Sequence, residues 1–209
     1  MQAFKRAKIE LTGRKPGLVI HSSEMADDTN PRAVQLKGVI EKIKSSRTVT
    51  DELRERKDLL QWRGALGDLY TDGAIIFMPA VNLFRATVTA ARELNLGTKI
   101  EERGAVSFEE DRLEIQHDGP DGDVMKLYAD DRFRLRIPAN PNPSARKKML
   151  LPVMRPVFPV WNAKITALML TELINWDQFT KVMELTGNGG IGNARKIGYG
   201  KFDVKITEL

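Results

Sequence analysis

The residues best suited to chemistry lie in one glycine-rich segment, Gly189 to Phe202. Glycine adopts positive φ and lets another backbone, such as a sugar-phosphate chain, come close. Successive N–H groups in such a loop can form a concavity that binds anions, and Arg195 and Lys196 would add charge. The segment therefore predicts phosphate binding by Gly190, Gly192, Arg195, Lys196, Gly198, Tyr199, Gly200 and Lys201. A connection that binds no ligand is the alternative.

This loop does not match the common nucleotide-binding fingerprints. It contains no G-x-G-x-x-G pattern and no Walker lysine pattern, and its glycines precede a predicted strand rather than a helix. We therefore expect no cofactor, and nucleic acid is favoured over a dinucleotide.

A second group of cations comes earlier in the chain and fits a basic groove for a single strand, which combines phosphate contacts with platforms for bases. Its members are Arg146, Lys147, Lys148 and Arg155. Tyr199 is the predicted exposed stacking ring, and the aromatic signature of an RRM sheet is absent. The other large aromatic residues are assigned to the core: Trp62, Trp161, Trp176, Phe84 and Phe179.

Candidates for catalysis are few. The chain has two histidines: His21 ends a short apolar run, and His117 is predicted at an exposed turn edge. Acidic pairs such as Glu109-Glu110 are adjacent, and neighbours in a strand point to opposite faces, so they cannot hold a metal together. No Ser-His-Asp pattern or metal-ligand spacing is found, so we expect no metal and no enzymatic activity.

Charge is distributed unevenly along the 209 residues, whose formal net charge is +5. Residues 132–209 carry 13 Lys and Arg against 5 Asp and Glu, a net of +8, whereas residues 101–131 carry 3 against 11, a net of −8. The basic third is the footprint expected of a phosphate-binding face. The two segments would also attract each other between subunits, which predicts a head-to-tail homo-oligomer.

Composition excludes several classes of protein. A hydrophobic fraction of 42% and a charged fraction of 29% are ordinary for a globular chain. No apolar run approaches the ~20 residues of a membrane span, and the N-terminal residues lack the apolar core of a signal peptide. Without cysteine, disulfides and zinc–cysteine sites are excluded. We expect a protein of the bacterial host cytoplasm.

Periodicity predicts an α+β fold. Alternation indicates strands at 4–12, 161–170 and 202–207, and helical spacing indicates helices at 31–45, from 50, at 80–95 and at 175–186, the last ended by Gly187. Short strand candidates fill the middle of the chain: Thr98–Glu101, Ala105–Phe108, Leu113–His117, Val124–Tyr128 and Phe133–Ile137.

The order of these elements predicts a ferredoxin-like βαββαβ core with the last strand beside the first. The whole chain, 1–209, is expected to form one domain. Two insertions interrupt the core: a helical one at about 18–78 and an extended, basic one at about 118–160.

The loop also carries a resemblance to a known family. Gly190-Ile191-Gly192, five residues and then Gly198-Tyr199-Gly200, between the last helix and last strand of a ferredoxin-like domain, resembles the RAMP superfamily. These are RNA-binding proteins of CRISPR systems. The resemblance implies that the basic segment 138–155 is a thumb-like insertion, and that His21 is a candidate for the histidine of repeat-processing members.

The chain as a whole is similar to a group of small uncharacterised phage proteins, whose function the similarity does not supply. The shared segments are Pro16 to His21, Leu69-Tyr70, Arg155 to Trp161 and the loop itself. The loop of that group often reads Asp-Trp-Arg-Pro where this chain has Asn193-Ala194-Arg195-Lys196.

Together these observations predict a non-enzymatic, phage-type protein that binds single-stranded DNA or RNA and oligomerises along the strand. One alternative is a RAMP-like, metal-independent endoribonuclease that uses His21. A second is a structural assembly protein whose acidic and basic segments pair between subunits.

Overall fold

A computed structural model of the chain describes residues 4–67, 71–72, 75–120, 123–139 and 151–209. In chain order the strands are β1 (Phe4–Gly13), β2 (Leu18–Val19), β3 (Thr71–Asp72), β4 (Ile75–Pro79), β5 (Val106–Phe108), β6 (Arg112–Glu114), β7 (Gln116–His117), β8 (Arg134–Ala139), β9 (Leu151–Phe158), β10 (Trp161–Leu170) and β11 (Phe202–Glu208). The α-helices are α1 (Pro31–Ser45), α2 (Asp51–Leu66), α3 (Ala80–Glu93), α4 (Gly97–Glu101), α5 (Val124–Ala129) and α6 (Trp176–Gly189). The fold is α+β with antiparallel sheets.

The largest sheet has the strand order β11-β1-β10-β5, and β7 also pairs with β10. Every pairing is antiparallel, and Ile9 of β1 lies between Ile165 of β10 and Ile206 of β11. The prediction that the last strand lies beside the first is confirmed. On β1 the residues Ala7, Ile9 and Leu11 are buried, as alternation predicted, because only one face of the strand meets the core.

Two helices pack against each other over that buried face, α3 after β1 in the chain and α6 between β10 and β11. Thr87 of α3 donates its hydroxyl to the carbonyl of Leu83 and lies 3.9 Å from the sulfur of Met183 on α6. Helix α6 begins with a capping box in which Asn175 and Gln178 satisfy each other's backbone amides.

A second layer consists of a sheet with the order β2-β9-β8, which α2 covers. The buried indole of Trp62 donates from Nε1 to the carbonyl oxygen of Phe133 at 2.8 Å. The side chain of Gln61 accepts from the amide of Met154 at 3.1 Å, and buried Asp58 pairs with Arg136. These contacts fix the β8–β9 pair on α2. A small sheet of β3, β4 and β6 adjoins the core.

Two predicted strands are helices. Residues 98–101 form most of α4, a single turn that buries Ile100 completely, and residues 124–128 lie in α5. In α5 the carboxylate of Asp123 accepts from the amides of Met125 and Lys126, and this cap outweighs the strand preference of Val124. The extended segment expected at 118–160 therefore holds α5 and the β8–β9 pair.

Helix α6 also passes the predicted stop at Gly187 and ends at Gly189, with Gly190 as its C-cap. Gly187 has a different purpose: a Cβ there would overlap the carbonyl oxygen of Phe202. Glycine is needed because β11 passes directly over the helix. The predicted turn at Leu69-Tyr70 lies outside the described residues.

Candidate nucleic-acid interface

The glycine-rich loop leaves α6 at Gly190 and returns to β11 at Lys201, and its two ends are bonded to each other. The amide of Ile191 donates to the carbonyl of Gly200 at 2.9 Å. The loop is also fixed to the segment around β2, because the amide of Gly200 donates to Gly17 at 2.7 Å and that of Asn193 to Val19 at 2.8 Å. The loop base is thus part of the folded core.

Positive φ occurs throughout the loop, as the sequence predicted for glycine. The φ angles are 75° at Gly190 and Gly192, 97° at Gly198 and 76° at Gly200, and Ala194 adopts 58° without being glycine. A Cβ on Gly200 would overlap the carbonyl oxygen of Ile191, and one on Gly190 would lie 2.9 Å from the carbonyl carbon of Gly200. Glycine at positions 190 and 200 therefore allows two backbone segments of the loop to pack directly against each other.

Most loop amides already donate hydrogen bonds within the protein. Few of them therefore remain for the predicted anion-binding concavity. The amides of residues 190, 191, 193, 194, 197, 198 and 200 all donate to protein oxygens. Within the described residues, no acceptor is found for the amides of Gly192, Arg195, Lys196, Tyr199 and Lys201. The first three of these residues line the same cleft.

The cleft has a volume of about 570 Å³ and lies between the loop and α3. One wall runs from Ile191 to Lys196, the other comes from α3, and His21 and Met78 complete the lining. Arg85 on α3 and Arg195 and Lys196 on the loop are exposed cations that make no ion pair with another described residue. None of the described residues that line the cleft is acidic. Concave walls that carry one sign of charge concentrate the field and attract anions.

His21 lies in this cleft because Leu18 and Val19 pair with β9 and continue directly into it. The residue is exposed by its accessible surface, but the surrounding protein atoms desolvate the imidazole, and Arg155 on β9 adds a positive charge. Both effects act in the same direction and lower the pKa of His21 from 6.5 to about 4. The imidazole is therefore neutral near pH 7 and can accept a proton or a hydrogen bond.

Arg155 was assigned from the sequence to the cations of a basic groove. It is half-buried on β9, its Nε has no hydrogen-bond partner among the described residues, and burial lowers its pKa. Its effect on the cleft is exerted through His21.

Some of the other predicted site residues line the cleft and others do not. Gly192, Arg195 and Lys196 line it, whereas Gly190 and Gly200 are buried in the loop base. Tyr199, predicted as an exposed ring, is half-buried and outside the lining, as are Gly198 and Lys201. Arg146, Lys147 and Lys148 lie outside the described residues.

His117 is not the exposed turn residue that was predicted. Its ring centroid lies 6.0 Å from that of Phe133 and 5.2 Å from that of Phe158, and its Nδ1 accepts from the amide of Gly119. His117 therefore packs against core aromatic rings and stabilises the fold.

Sequence reasoning missed the wall that α3 supplies. Asn82, Arg85 and Thr89 line the cleft at helical spacing, and the neighbouring Leu83 and Ala86 are buried. The available signal was a polar stripe at i, i+3 and i+7 on a helix otherwise rich in apolar residues. This stripe could not be assigned to a site from the sequence alone, because the sequence does not show that the glycine-rich loop lies opposite α3.

The open face of the largest sheet offers a poorer surface for phosphates. Glu10 lies 3.1 Å from Lys8, 3.9 Å from Lys164 and 3.7 Å from Lys205, and these cations lower its pKa. Arg6 binds Glu109 through two hydrogen bonds of 2.8 and 2.7 Å, and Arg14 pairs with Asp203. The charges of this face are largely neutralised within the protein.

Neither a metal centre nor a membrane segment is found in the described part of the chain. No three or more histidine, aspartate or glutamate side chains come together there to hold a metal ion. None of the helices described is long and apolar enough to cross a membrane.

Comparison with known proteins gives a similarity in fold. No protein-family model and no curated protein matches the sequence. Among solved structures, the chain is similar to one from the "Cryo-EM structure of the Type III-B Cmr-beta bound to cognate target RNA", with a TM-score of 0.52 and 14% sequence identity. The match covers 99% of this chain and 61% of that one, so this chain spans about three fifths of its length.

The loop geometry predicts different results for two glycines with nearly equal φ. Gly200→Ala should strongly destabilise the protein, because the new Cβ overlaps the carbonyl of Ile191 in addition to the strain of positive φ. Gly104→Ala, at φ 66° with open space around it, should cost only the strain, about 1–2 kcal/mol. Urea unfolding of both variants tests this. Equal costs would show that the loop ends are not in contact.

The environment of His21 predicts its titration. NMR should show the His21 imidazole neutral at pH 6, and Arg155→Leu should raise its pKa because a nearby positive charge is removed. Since the pKa is lower in the folded than in the unfolded chain, this group's contribution to stability is full above pH 6.5 and is lost as the pH falls to about 4. A midpoint near 6.5 in both proteins would contradict the desolvated position.

Proposed function

We propose that the protein binds single-stranded nucleic acid, without enzymatic activity, in the cleft between the loop and α3. The observation that supports this most directly is the convergence of Arg85, Arg195 and Lys196 on a concave surface whose described lining residues include no carboxylate. Each cation can neutralise a phosphate of the strand. Met78, Ala86 and Ile191 also line the cleft, but at most 8% of the surface of each is accessible, so they offer a sugar or base little contact.

Several observations favour a single strand over a duplex. Single strands are held by basic grooves with platforms for bases, whereas a duplex presents its phosphates to broad surfaces. The broad surface of this protein, the open face of the largest sheet, has its lysines grouped around Glu10. In the narrower cleft, by contrast, the positive charges of Arg85, Arg195 and Lys196 are not neutralised by any described carboxylate. The proposed ligand is single-stranded DNA or single-stranded RNA.

We further propose that the core is a ferredoxin-like unit related to the RAMP superfamily, and that the chain is of the phage type. In the order β11-β1-β10-β5, the fourth, first, third and second core strands follow one another, as in the βαββαβ arrangement. The similarity in fold to a chain from a Cmr-beta structure that is bound to target RNA supports the same relationship.

Assembly along the strand is part of this proposal. The acidic segment 101–131 includes β5 at one edge of the largest sheet, and the basic segment 132–209 includes β11 at the other. Head-to-tail contact would pair opposite charges between copies. Sedimentation with nucleic acid over a range of salt concentrations should show oligomers that dissociate as salt rises, and a monomer throughout would exclude them.

The binding proposal predicts a specific salt dependence. Arg195→Ala combined with Lys196→Ala should weaken binding about equally for all sequences, because phosphate contacts carry no sequence information. The log–log salt slope should flatten by about 1.4, since a single strand loses ~0.7 for each contact removed. Fluorescence anisotropy with labelled DNA and RNA oligonucleotides measures both. Arg47→Ala with Lys181→Ala, which removes two exposed cations outside the cleft lining, is the matched control and should change neither quantity.

A second candidate function, metal-independent cleavage of RNA, is favoured by the position of His21. A neutral imidazole beside the loop cations could accept the proton of a ribose 2′-hydroxyl. The 2′-oxygen would then attack phosphorus, and the bond to the 5′-oxygen would break as that oxygen gains a proton from water.

The same oligonucleotides distinguish the two functions. In the binder, His21→Ala leaves affinity and RNA integrity unchanged. In the nuclease, the wild type cuts RNA but not DNA in the presence of a chelator, and His21→Ala binds RNA without cutting it. If neither nucleic acid binds, the assembly protein is the remaining function.

A further inference from the structure

Ile197 is the most exposed large apolar side chain in the described part of the chain, with 63% of its surface accessible. It directly follows Arg195 and Lys196, the two loop cations of the cleft, and ends the short 3₁₀ turn Arg195–Ile197. An apolar side chain therefore projects from the loop beside the charges proposed to hold phosphates.

The backbone around Ile197 is held firmly in place. Its amide donates to the carbonyl of Ala194 at 3.0 Å, and the amide of Gly198 donates to Arg195 at 3.0 Å. Below this turn, the loop base is closed by the bond between Ile191 and Gly200. A β-branched side chain also has little χ1 freedom. Ile197 is thus displayed in a nearly fixed orientation and would lose little entropy on binding.

Tyr199, the ring that the sequence favours for stacking, is less suitable. It is half-buried whereas Ile197 is exposed, and neither of these two side chains is among those that line the cleft. Single exposed apolar residues are common on protein surfaces, and Phe4, Val34 and Val160 are examples in this chain. Ile197 differs from these three because it follows two cations of the cleft that pair with no other described residue.

We propose that Ile197 inserts between two neighbouring bases of the bound single strand and unstacks them. The inference rests on the proposed function, because Arg195 and Lys196 must hold the flanking phosphates. Apolar side chains are used as wedges between base steps in other nucleic-acid-binding proteins, where the bases cover the apolar surface. Burial of the exposed part of Ile197 compensates for the lost stacking of the two bases.

The test uses single-stranded DNA and RNA oligonucleotides that carry 2-aminopurine at one internal position, moved one nucleotide at a time through a series. Because stacking quenches this base, wild-type protein should raise its fluorescence at one or two positions of the bound site. Ile197→Ala should abolish the increase and weaken binding about tenfold, while the salt slope stays unchanged because no phosphate contact is lost. Ile197→Leu should retain both properties.

Val34→Ala removes a comparable exposed side chain from α1, 54% accessible, and should change nothing. Thermal unfolding of each variant confirms that the fold is kept. If wild type binds with the predicted salt slope but Ile197→Ala gives the same fluorescence and affinity, the wedge is refuted and the binding function stands. If wild type binds neither nucleic acid, the proposed function fails, and the wedge with it.

Discussion

The structure depends on the direct contact between two backbone segments at the base of the glycine-rich loop. Gly190 and Gly200 lie too close to each other and to Ile191 for side chains to fit, and the bond from Ile191 to Gly200 closes the loop there. The same closure holds the start of β11 against the end of α6. Through the carbonyls of Gly17 and Val19 it also fixes the segment that carries His21. The cleft exists because these segments are joined at one point.

The sequence predicted the elements whose pattern is set by burial on a single face. Alternation identified β1, β10 and β11, and helical spacing identified α1, α2 and α6. The starts of these helices are fixed by the side chains of Asn30, Thr50 and Asn175, each of which accepts from a backbone amide. Helices α4 and α5 were mistaken for strands because they are one or two turns long. At that length a cap such as Asp123, or a core contact such as that of Ile100, decides the structure rather than periodicity.

The site was predicted only in part because pairing of charges is a tertiary property. The sequence identified Arg195 and Lys196, but it could not show that Arg85 faces them across the cleft. Nor could it show that Arg155 is half-buried, or that Lys164 and Lys205 are grouped around Glu10. A segment charge of +8 therefore overstates the free positive surface. Only the cations that the fold does not pair with a carboxylate are available to attract a nucleic-acid strand.

The composition of the cleft bears on both of the proposed functions. General acid–base cleavage of RNA is most efficient when one group accepts the 2′-hydroxyl proton and a second supplies a proton to the leaving oxygen. Among the described lining residues His21 is the one imidazole and no carboxylate is present, so in the proposed cleavage the leaving oxygen would take its proton from water. The proposed binding needs only a neutral His21 and cations that no described carboxylate pairs with, whereas the proposed cleavage also needs that proton donor.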